Sequence, residues 1–400
     1  MQKILIIAAL VLLAIPLAMA IVCFFSDKAK GNHASFEEVP LKHKVLPLDS
    51  ALTLAQIKKS TGEITTLLVI DQSAETIHAV DLFDIGVPHN TDFFEVTAYV
   101  DRSTLIAARQ NTSLQQKYTL EQLLPAGGSF DRHVATGTNF IEHAAESNSQ
   151  AVFNFPKFGR ATPARTTVIG RPEALLDYEV EFCVRFDRDI RSVEDFDAAH
   201  KGFFLCADFT DRATLVRLID PKNYNSGSGF SDAKSGSDFF PTGPFMVIPD
   251  DWESFIASER MTTQVNGAAR QDARGREMML DFRQLVARAL DRSKHPESFL
   301  YKESKTPLLA NGFIPRGAAL MSGTSAGVIF TPPATCDLLT GVGSAIINGQ
   351  ILGLKMIVSA VKEHFLRKEI ASGHFLQVGD VIEHRSSSMG DIRIKVRPLH

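Results

Sequence analysis

Residues 175–186, LLDYEVEFCVRF, alternate between two kinds of side chain and therefore predict a β-strand. One face of this strand is apolar or aromatic and should lie on a core; it carries Tyr178, Val180, Phe182, Val184 and Phe186. The opposite face is mostly polar; it carries Asp177, Glu179, Glu181, Cys183 and Arg185.

Three carboxylates on one strand face are about 6.5–7 Å apart from one residue to the next on that face. Like charges held so close disfavour joint ionisation unless a cation lies among them. A hard divalent cation bound by oxygen ligands is one solution. A solvated strand face with Arg185 as the ionic partner is the other, and the strand alone does not choose between them.

Composition limits the class of protein. The 400 residues are 44% hydrophobic and 22% charged, enough for a large core in one large domain with a smaller one beside it. The formal net charge of −4, without a basic stripe, argues against a nucleic-acid partner. Cys183, Cys206 and Cys336 lack CxxC spacing, and we interpret them as buried free thiols.

The chain begins with a long apolar run. Residues 4–25 form 22 consecutive apolar residues, long enough as a helix to span a bilayer. A cleaved signal peptide is the alternative, because Ala18-Met19-Ala20 resembles a cleavage site. We favour an uncleaved single-pass membrane anchor of undetermined orientation, since the apolar run continues past that site. Residues 26–49 then read as a polar tether.

Residues 50–130 are interpreted as a small N-terminal α/β domain. Within it, residues 66–72, 77–83 and 93–100 predict strands and residues 113–124 predict a short helix. The remaining residues, 131–400, form the second and larger domain.

A histidine and a glutamate stand three residues apart in GTNFIEHAAESN, residues 137–148. Asn139 and Glu142 have the spacing of a capping box and predict a helix that begins near Phe140. His143 and Glu146 then share one helix face, where a carboxylate can orient an imidazole as a general base. An exposed helix start with ordinary polar residues is the alternative.

Two later segments add charged groups. The apolar run at residues 202–212 predicts a buried strand and places Asp208 at its end. Residues 223–236 are rich in glycine and serine and predict a loop that carries Lys234. Apolar residues at helical spacing between 274 and 292 predict a core-facing helix.

The order of several motifs resembles the fumarylacetoacetate hydrolase family. These motifs are NF..HAAE (139–146), FPK (155–157), LDYEVE (176–181), DFTDR (208–212), AKS (233–235), PTGP (241–244), VNGAARQ (265–271), GTSAGV (323–328) and GDVIE (379–383). The resemblance implies an α+β fold with a mixed β-sandwich roll, commonly homodimeric.

The resemblance also implies roles for individual residues. Metal ligation, usually of Mg²⁺ with Mn²⁺ or Ca²⁺ possible, falls to Glu179, Glu181 and Asp208. Water activation falls to His143 and Glu146, and Lys234 lies beside the substrate's oxygens. Substrate binding falls to Arg212 and to the loop that contains Gly323 and Thr324.

Departures from the family pattern occur at four places. Ala213 follows Arg212 where an aspartate is usual, and Asp211 stands where a small residue is usual. Ser325 replaces a proline. An insertion at about 333–374 carries a helical apolar stripe; its members are Ile351, Leu354, Ile357, Val358, Val361 and Phe365. Core or dimer contact is the favoured role of this stripe, with a lid or membrane-surface contact as the alternative.

These observations together predict a membrane-tethered, divalent-metal-dependent hydrolase or lyase. Its expected substrate is a small β-dicarbonyl or 2-oxo acid, cleaved or decarboxylated through a stabilised enolate. A non-catalytic metal- or ligand-binding protein of the same family is the first alternative. An isomerase or hydratase of that family is the second.

Overall fold

Short strands rich in β-branched and aromatic residues build the sheets of this protein. The computed structural model describes residues 36–37, 39–147, 149, 151–220, 223, 226–294, 299–347 and 354–399. In these ranges the strands are, in chain order, β1 (Ala51–Lys58), β2 (Ile64–Gln72), β3 (Thr76–Asp81), β4 (Gln115–Thr119), β5 (Arg132–Gly137), β6 (Phe153–Phe158), β7 (Arg165–Gly170), β8 (Leu176–Asp177), β9 (Val180–Phe186), β10 (Lys201–Ala207), β11 (Thr210–Asp211), β12 (Met246–Pro249), β13 (Arg260–Val265), β14 (Ala268–Arg274), β15 (Phe299–Tyr301), β16 (Ser304–Thr306), β17 (Leu320–Met321), β18 (Val381–Ser386) and β19 (Asp391–Pro398).

Two large mixed sheets carry the fold. The larger has the strand order β4-β3-β2-β1-β12-β10-β9-β17-β5-β6, and the smaller has the order β14-β13-β18-β19-β7. The pairs β17–β5 and β19–β7 are parallel, and their neighbours in both sheets are antiparallel. Buried residues of the two sheets belong to one continuous hydrophobic cluster. The predicted α+β class with mixed sheets is confirmed.

The helices are mostly short and lie between strands. In chain order the α-helices are α1 (Arg102–Gln110), α2 (Ile141–Glu146), α3 (Val193–Ala198), α4 (Arg212–Leu218), α5 (Phe230–Lys234), α6 (Trp252–Ser258), α7 (Phe282–Lys294), α8 (Thr335–Ile347) and α9 (Leu354–Ser372). Single 3₁₀ turns are formed by Leu82–Ile85, Phe93–Ala98, Thr112–Leu114, Leu120–Gln122 and Gly275–Glu277.

The carboxylate strand lies inside the larger sheet with both faces covered. Every residue of β9 and of its neighbour β10 is buried. Arg185 does not balance the carboxylates of its own strand: it donates to the carbonyl of Ala126 at 3.2 Å and lies 3.5 Å from a carboxylate oxygen of Asp92. The solvated-face alternative is therefore wrong, because no water-exposed side of β9 exists.

Two predictions in the N-terminal part are wrong. Residues 93–100 form the 3₁₀ helix Phe93–Ala98 instead of a strand; Asp92 caps it by accepting from the Phe94 amide, and its buried residues Phe93 and Val96 are three apart. Residues 113–124 contain the strand β4 instead of a helix, because Gln115–Thr119 completes the edge of the sheet beside β3.

The larger sheet continues across the predicted domain boundary at residue 130. Strand β1 pairs with β12, so β1–β4 extend the sheet that contains β9. The described part of the predicted tether also lies against the body of the protein: the Glu37 amide donates to Asp272 at 2.8 Å. The domain ranges themselves stay a prediction, as does homodimer formation.

The membrane localisation expected from the sequence requires correction. Among the helices of the described residues, none combines the length and apolar character needed to cross a bilayer. The apolar run at residues 4–25, on which the expectation depended, lies outside the described residues. No membrane localisation is carried forward.

The interpretation of the cysteines as free thiols is also wrong. Cys183 of β9 and Cys206 of β10 form a disulfide with a Cα–Cα distance of 5.9 Å. They are not direct cross-strand partners, since Cys206 faces Glu181 and Cys183 faces Phe204. The prediction failed because it judged cysteine spacing along the chain, whereas pairing depends on strand register. No cysteine among the described residues is free.

Candidate active site

The carboxylate cluster is built where β9 and β10 meet. Glu179 precedes β9 and Glu181 lies within it, while Asp208 follows the end of β10. The amide of Asp208 donates to the carbonyl of Glu179 at 2.9 Å, which fixes the two backbones side by side. One carboxylate oxygen from each of the three residues lies within 4.8 Å of the others, and all three residues are buried. The structure thus brings together the three residues predicted as metal ligands.

Lys234 lies directly on this cluster. Its Nζ is 2.7 Å from Glu179 Oε2 and 3.0 Å from Asp208 Oδ2, and it donates to Thr210 Oγ1 at 2.8 Å. The predicted loop is in part the short helix α5, which ends at Lys234 and holds it against the sheet. Burial alone lowers the pKa of Lys234, but the charges of Asp208 and Glu179 outweigh burial and raise it.

A second lysine, to which the sequence analysis gave no role, reaches the same cluster. Lys157 of β6 is fully buried and its Nζ lies 2.7 Å from Asp208 Oδ1; it also donates to the carbonyls of Lys234 and Phe239. Burial lowers the pKa of Lys157 in spite of its pairing with Asp208. The available signal was a lysine in the otherwise mostly apolar strand sequence FNFPKF.

Arg212 forms ion pairs with two carboxylates. Its Nε donates to Asp177 Oδ2 at 2.8 Å and its Nη2 to Glu179 Oε1 at 2.7 Å. Asp177, which also received no role from the sequence, accepts the amides of Ile329 and Phe330. Arg212 was predicted to bind substrate; it does line the site cavity, but both of these donors already have partners.

The replaced Arg-Asp motif is not repaired by Asp211. Asp211 is the N-cap of α4, where its carboxylate accepts from the amides of Ala213 and Thr214 and from the Thr214 hydroxyl. Arg212 takes its acidic partners from the preceding strand region.

Among the described residues, Glu181 is hydrogen-bonded through only one of its two carboxylate oxygens. Its Oε2 accepts the amide of Gly323 at 2.8 Å, whereas Oε1 has no hydrogen-bond partner among the described residues. Burial, reinforced by the charges of Asp208 and Glu179, raises the pKa of Glu181 well above its usual value. By contrast, burial raises the pKa of Glu179 but Lys234 and Arg212 outweigh it and lower that pKa.

These residues fit a hard divalent cation. The orphaned, buried Oε1 of Glu181 faces two further carboxylates, and a set of oxygen donors is the one that Mg²⁺, Mn²⁺ and Ca²⁺ prefer. A proton on Glu181 is the other way to satisfy the cluster, as its raised pKa indicates. Glu179, Glu181 and Asp208 are the residues that could hold the ion.

The predicted dyad forms on α2. His143 Nδ1 lies 3.0 Å from Glu146 Oε2, and both side chains are largely buried. Glu146 Oε1 accepts from the Gly327 amide at 3.3 Å, which fixes the carboxylate. The bond at Nδ1 assigns the proton to that nitrogen and leaves Nε2 as the basic atom, with Ser147 Oγ 3.4 Å away.

The capping box predicted to start this helix does not form. The N-cap is Phe140, without a side-chain cap bond. The Asn139 amide group instead donates to the carbonyls of Leu280 and Ser322, and its oxygen accepts from the Leu280 amide. Asn139 therefore ties the start of α2 to the loop that follows β17, a long-range contact that the local pattern could not show.

The loop that contains Gly323 and Thr324 is hydrogen-bonded to β9 next to the site. Gly323 has a φ of +80°, and an added Cβ would lie 3.1 Å from the carbonyl of Thr136, so a side chain there is disfavoured. The Thr324 hydroxyl donates to the carbonyl of Val180 at 2.9 Å and accepts from Gln271 at 2.8 Å. Both were predicted to bind substrate; here Gly323 holds Glu181, and the Thr324 hydroxyl proton is used by the backbone.

A cavity of about 530 Å³ joins these groups. His143, Glu179, Arg212, Lys234 and Thr324 line it together, whereas Glu181 and Asp208 lie behind Glu179 and Lys234. Helices α8 and α9, which form the insertion, contribute much of the remaining wall. A substrate in this cavity would contact the imidazole and the ammonium group at the same time.

Residues of the insertion both pack into a core cluster and line the cavity. Val361 and Phe365 are buried, and Phe365 packs in a small cluster with Leu366 and Phe375. Val361 also lines the cavity, as do Ile357 and Val358. Position 351 and the side chain at position 354 lie outside the described part of the chain.

Comparison with known proteins identifies the family. The family model described as fumarylacetoacetate (FAA) hydrolase C-terminal matches residues 132–397. A curated relative, the 2,4-didehydro-3-deoxy-L-rhamnonate hydrolase of Sphingomonas sp. (strain SKA58), is 27% identical over 161 residues. That match covers 38% of this chain and 53% of the relative, so the chain spans about half the length of the curated relative that it matches.

Solved structures share the fold at low sequence identity. A probable 2-hydroxyhepta-2,4-diene-1,7-dioate isomerase from Mycobacterium abscessus is 18% identical with a TM-score of 0.52, over 87% of this chain and 100% of that one. The fumarylacetoacetate hydrolase of Exiguobacterium antarcticum is 17% identical with a TM-score of 0.50, over the same shares. Together with the match over residues 132–397, these findings show that the chain belongs to the fumarylacetoacetate hydrolase family.

Proposed function

We propose that this protein is a divalent-metal-dependent hydrolase or lyase that cleaves or decarboxylates a small β-dicarbonyl or 2-oxo acid. The observation that carries the proposal is that one cavity is lined by Glu179 of the three buried carboxylates, by Lys234 and by His143 of the dyad. The family contains hydrolases and isomerases, and the curated relative is named as a hydrolase.

The dyad serves as the base. With its Nδ1 proton held by Glu146, His143 accepts a proton from water at Nε2, and the resulting hydroxide attacks a carbonyl carbon of the substrate. The C–C bond then breaks with its electron pair forming the enolate of the neighbouring carbonyl group, and the protonated imidazole of His143 returns its proton to the enolate carbon. The Lys234 ammonium group, which lines the cavity, stabilises that developing negative charge.

A divalent cation held by Glu179, Glu181 and Asp208 would supply Lewis-acid polarisation of a substrate oxygen. The protein contributes the fixed geometry: Gly323 orients Glu181, while Arg212 orients Glu179. Preorganised charges of this kind act strongly because the site is removed from water.

The test combines metal removal with a matched pair of variants. The protein is treated with chelator, Mg²⁺ is added back, and loss of acylpyruvate and of oxaloacetate is followed by absorbance. We expect Glu181→Gln to lower kcat/KM by about 10²-fold or more. Glu259→Gln serves as the control, because Glu259 is also buried with a raised pKa but is bonded to Ser386 and Ser388.

Two outcomes decide between the proposal and its alternatives. Unchanged turnover after chelation and in Glu181→Gln contradicts a metal-dependent reaction. Tight metal binding without turnover favours a non-catalytic binding protein of the same family. Deuterium exchange at the carbon between the carbonyls without C–C cleavage favours an isomerase.

A further inference from the structure

The cavity beside the carboxylate cluster has two chemically different walls. One wall is polar and consists of the candidate catalytic groups. The other is apolar and is built from β6, α4, α5 and the insertion helices α8 and α9. A small dicarbonyl head group uses only the polar wall, which leaves the apolar wall without a role in the proposed reaction.

Part of the apolar wall is aromatic and preformed. Phe230 of α5 contacts Phe153 and Phe155 of β6, with ring centroids 4.7 and 5.3 Å apart. Phe330 lies next to the polar groups, since the Arg212 guanidinium is 5.2 Å from its ring centroid. The aromatic wall therefore begins directly at the site of the chemistry.

The insertion supplies the opposing surface. Leu338 and Val342 of α8, together with Val358 of α9, line the cavity yet are 36–47% exposed. When a ligand covers large apolar side chains that are open towards a cavity, their removal from water favours binding. Their continuity with the candidate active site indicates that the occupant is part of the substrate.

The cationic side chains of the lining already have hydrogen-bond acceptors. Among the described residues that line the cavity, Arg212 and Lys234 are bonded to the carboxylate cluster. Lys362 donates to the carbonyls of Arg217 and Ile219 at 3.0 and 3.1 Å, where it caps the end of α4. A second carboxylate in the apolar part would lose its hydration and would have to displace an existing hydrogen bond of one of these cations.

We infer that the substrate is a monocarboxylic β-dicarbonyl acid with an apolar tail, a chain or ring, that lies between the phenylalanines and the insertion. This inference rests on the proposed function and narrows its substrate class, excluding dicarboxylic acids. Each methylene group that enters an apolar site contributes about a fourfold gain in affinity. Four additional methylenes should therefore tighten binding by about 10²-fold.

Binding is measured without turnover. Straight-chain 2-oxo acids from 2-oxobutanoate to 2-oxodecanoate, which lack the bond to be cleaved, are titrated into the full-length protein in the presence of Mg²⁺ by isothermal calorimetry. We expect the affinity to rise with chain length and the heat-capacity change of binding to become more negative. A 2-oxo dicarboxylate of matched length should bind at least about 10-fold more weakly than its monocarboxylic counterpart.

Two variants of α9 locate the tail. Val358 and Met356 have similar exposures, 43% and 47%, but only Val358 lines the cavity. Val358→Glu should abolish the dependence of affinity on chain length, because a buried charge replaces part of the apolar wall. Met356→Glu, the control, should keep the dependence intact.

The outcomes separate this inference from the function beneath it. Measurable binding of 2-oxo acids with no dependence on chain length, or equal binding of the dicarboxylate, overturns the apolar-tail inference alone. Loss of the chain-length dependence in both variants also overturns it, since the effect would then not depend on the cavity. Failure of every 2-oxo acid to bind rejects the proposed function and this inference with it.

Discussion

Glu146 is the residue whose position most directly decides what His143 can do. Its two carboxylate oxygens are used in different ways: one binds the imidazole at 3.0 Å and the other accepts the Gly327 amide at 3.3 Å. The imidazole is thereby held with Nδ1 protonated and Nε2 unprotonated, 3.4 Å from the Ser147 hydroxyl. This is the tautomer that a water-activating base requires.

Replacement of this carboxylate should remove catalysis while leaving binding in place. We expect Glu146→Gln to lower kcat by about 10²-fold or more, with KM changed by less than about threefold. The glutamine amide can donate to Nδ1 of His143, which stabilises the tautomer with the proton on Nε2, and that nitrogen then cannot accept a proton from water. Initial rates over a range of substrate concentrations measure both constants. Glu142→Gln, one turn earlier on the same helix, is the control and should change neither constant; an equal effect of the two variants would contradict the dyad.

Lys157 is the other residue with a large expected effect. It is fully buried and paired with Asp208 Oδ1 at 2.7 Å, so removal of its charge leaves that buried oxygen without its cation and Lys234 as the partner of Oδ2 alone. We expect Lys157→Met to lower the free energy of unfolding by about 3–5 kcal/mol. Urea denaturation measures this change.

The exposed Lys305 provides the matched control for Lys157. Lys305→Met should change the free energy of unfolding by less than about 0.5 kcal/mol. A loss below about 1 kcal/mol in Lys157→Met would show that Asp208 finds another partner, and the ion pair would then have no structural importance.

At the scale of single elements, α4 shows how a changed motif can keep its architecture. The helix begins with Asp211 as its N-cap and ends where Lys362 of α9 binds the carbonyls of Arg217 and Ile219. Arg212, at its first position, reaches back to Asp177 and Glu179. The helix therefore connects the insertion to the carboxylate cluster.

The N-cap can be tested separately from the ion pairs. We expect Asp211→Ala to lower the free energy of unfolding by about 1 kcal/mol, because two helix amides and the Thr214 hydroxyl lose their acceptor. Asp211→Asn should retain most of the stability, since asparagine also caps well. Thermal denaturation compares the three proteins.

Activity distinguishes a cap from a substrate contact at this position. With the ion pairs of Arg212 intact, kcat/KM of Asp211→Ala should remain within about twofold of the unmodified protein at a temperature where both are folded. A loss of kcat/KM in Asp211→Asn as large as that in Asp211→Ala would assign Asp211 to the reaction instead.

For the whole molecule, two buried imidazoles set the response to acid. Burial lowers the pKa of His133 and of His384 to about 3. His133 bonds with the Ala319 amide and the Gly159 carbonyl, and His384 bonds with Thr263. Both imidazoles are therefore neutral in the folded protein at neutral pH.

The sign of their contribution follows from linkage. In the unfolded chain these groups bind protons below about pH 6.5, whereas in the folded protein they do so only near pH 3. The unfolded state thus binds more protons in this window, and stability is lost as the pH falls from about 6.5 towards 3. Each imidazole contributes about 1.4 kcal/mol per pH unit.

The measurement is urea denaturation between pH 4.5 and 7.5. In His384→Phe the slope of unfolding free energy against pH should fall by about 1.4 kcal/mol per unit relative to the unmodified protein. Any loss from the missing hydrogen bond between Thr263 and His384 shifts the whole curve without changing its slope. Parallel curves for the two proteins would show that His384 is not buried neutral.

The sequence by itself determined the class of fold and the identity of the central chemical groups. The alternation of LLDYEVEFCVRF predicted a single strand; the structure forms β8 and β9 there, with a break at Tyr178 and Glu179, so the extended conformation was largely predicted because a strand's period of two residues is a local property. The same locality made His143 and Glu146 neighbours on one helix turn. The order of the motifs predicted the family that the comparison over residues 132–397 shows.

Only the tertiary structure decided how those groups are partnered. The ion pairs of Lys157 and Arg212 join residues 33–51 positions apart, and the disulfide between Cys183 and Cys206 depends on strand register. Phe93–Ala98 formed a turn where alternation predicted a strand, since Asp92 caps it locally. The sequence also could not show that α8 and α9 form part of the cavity wall, because periodicity reveals an apolar face but not the surface that the face covers.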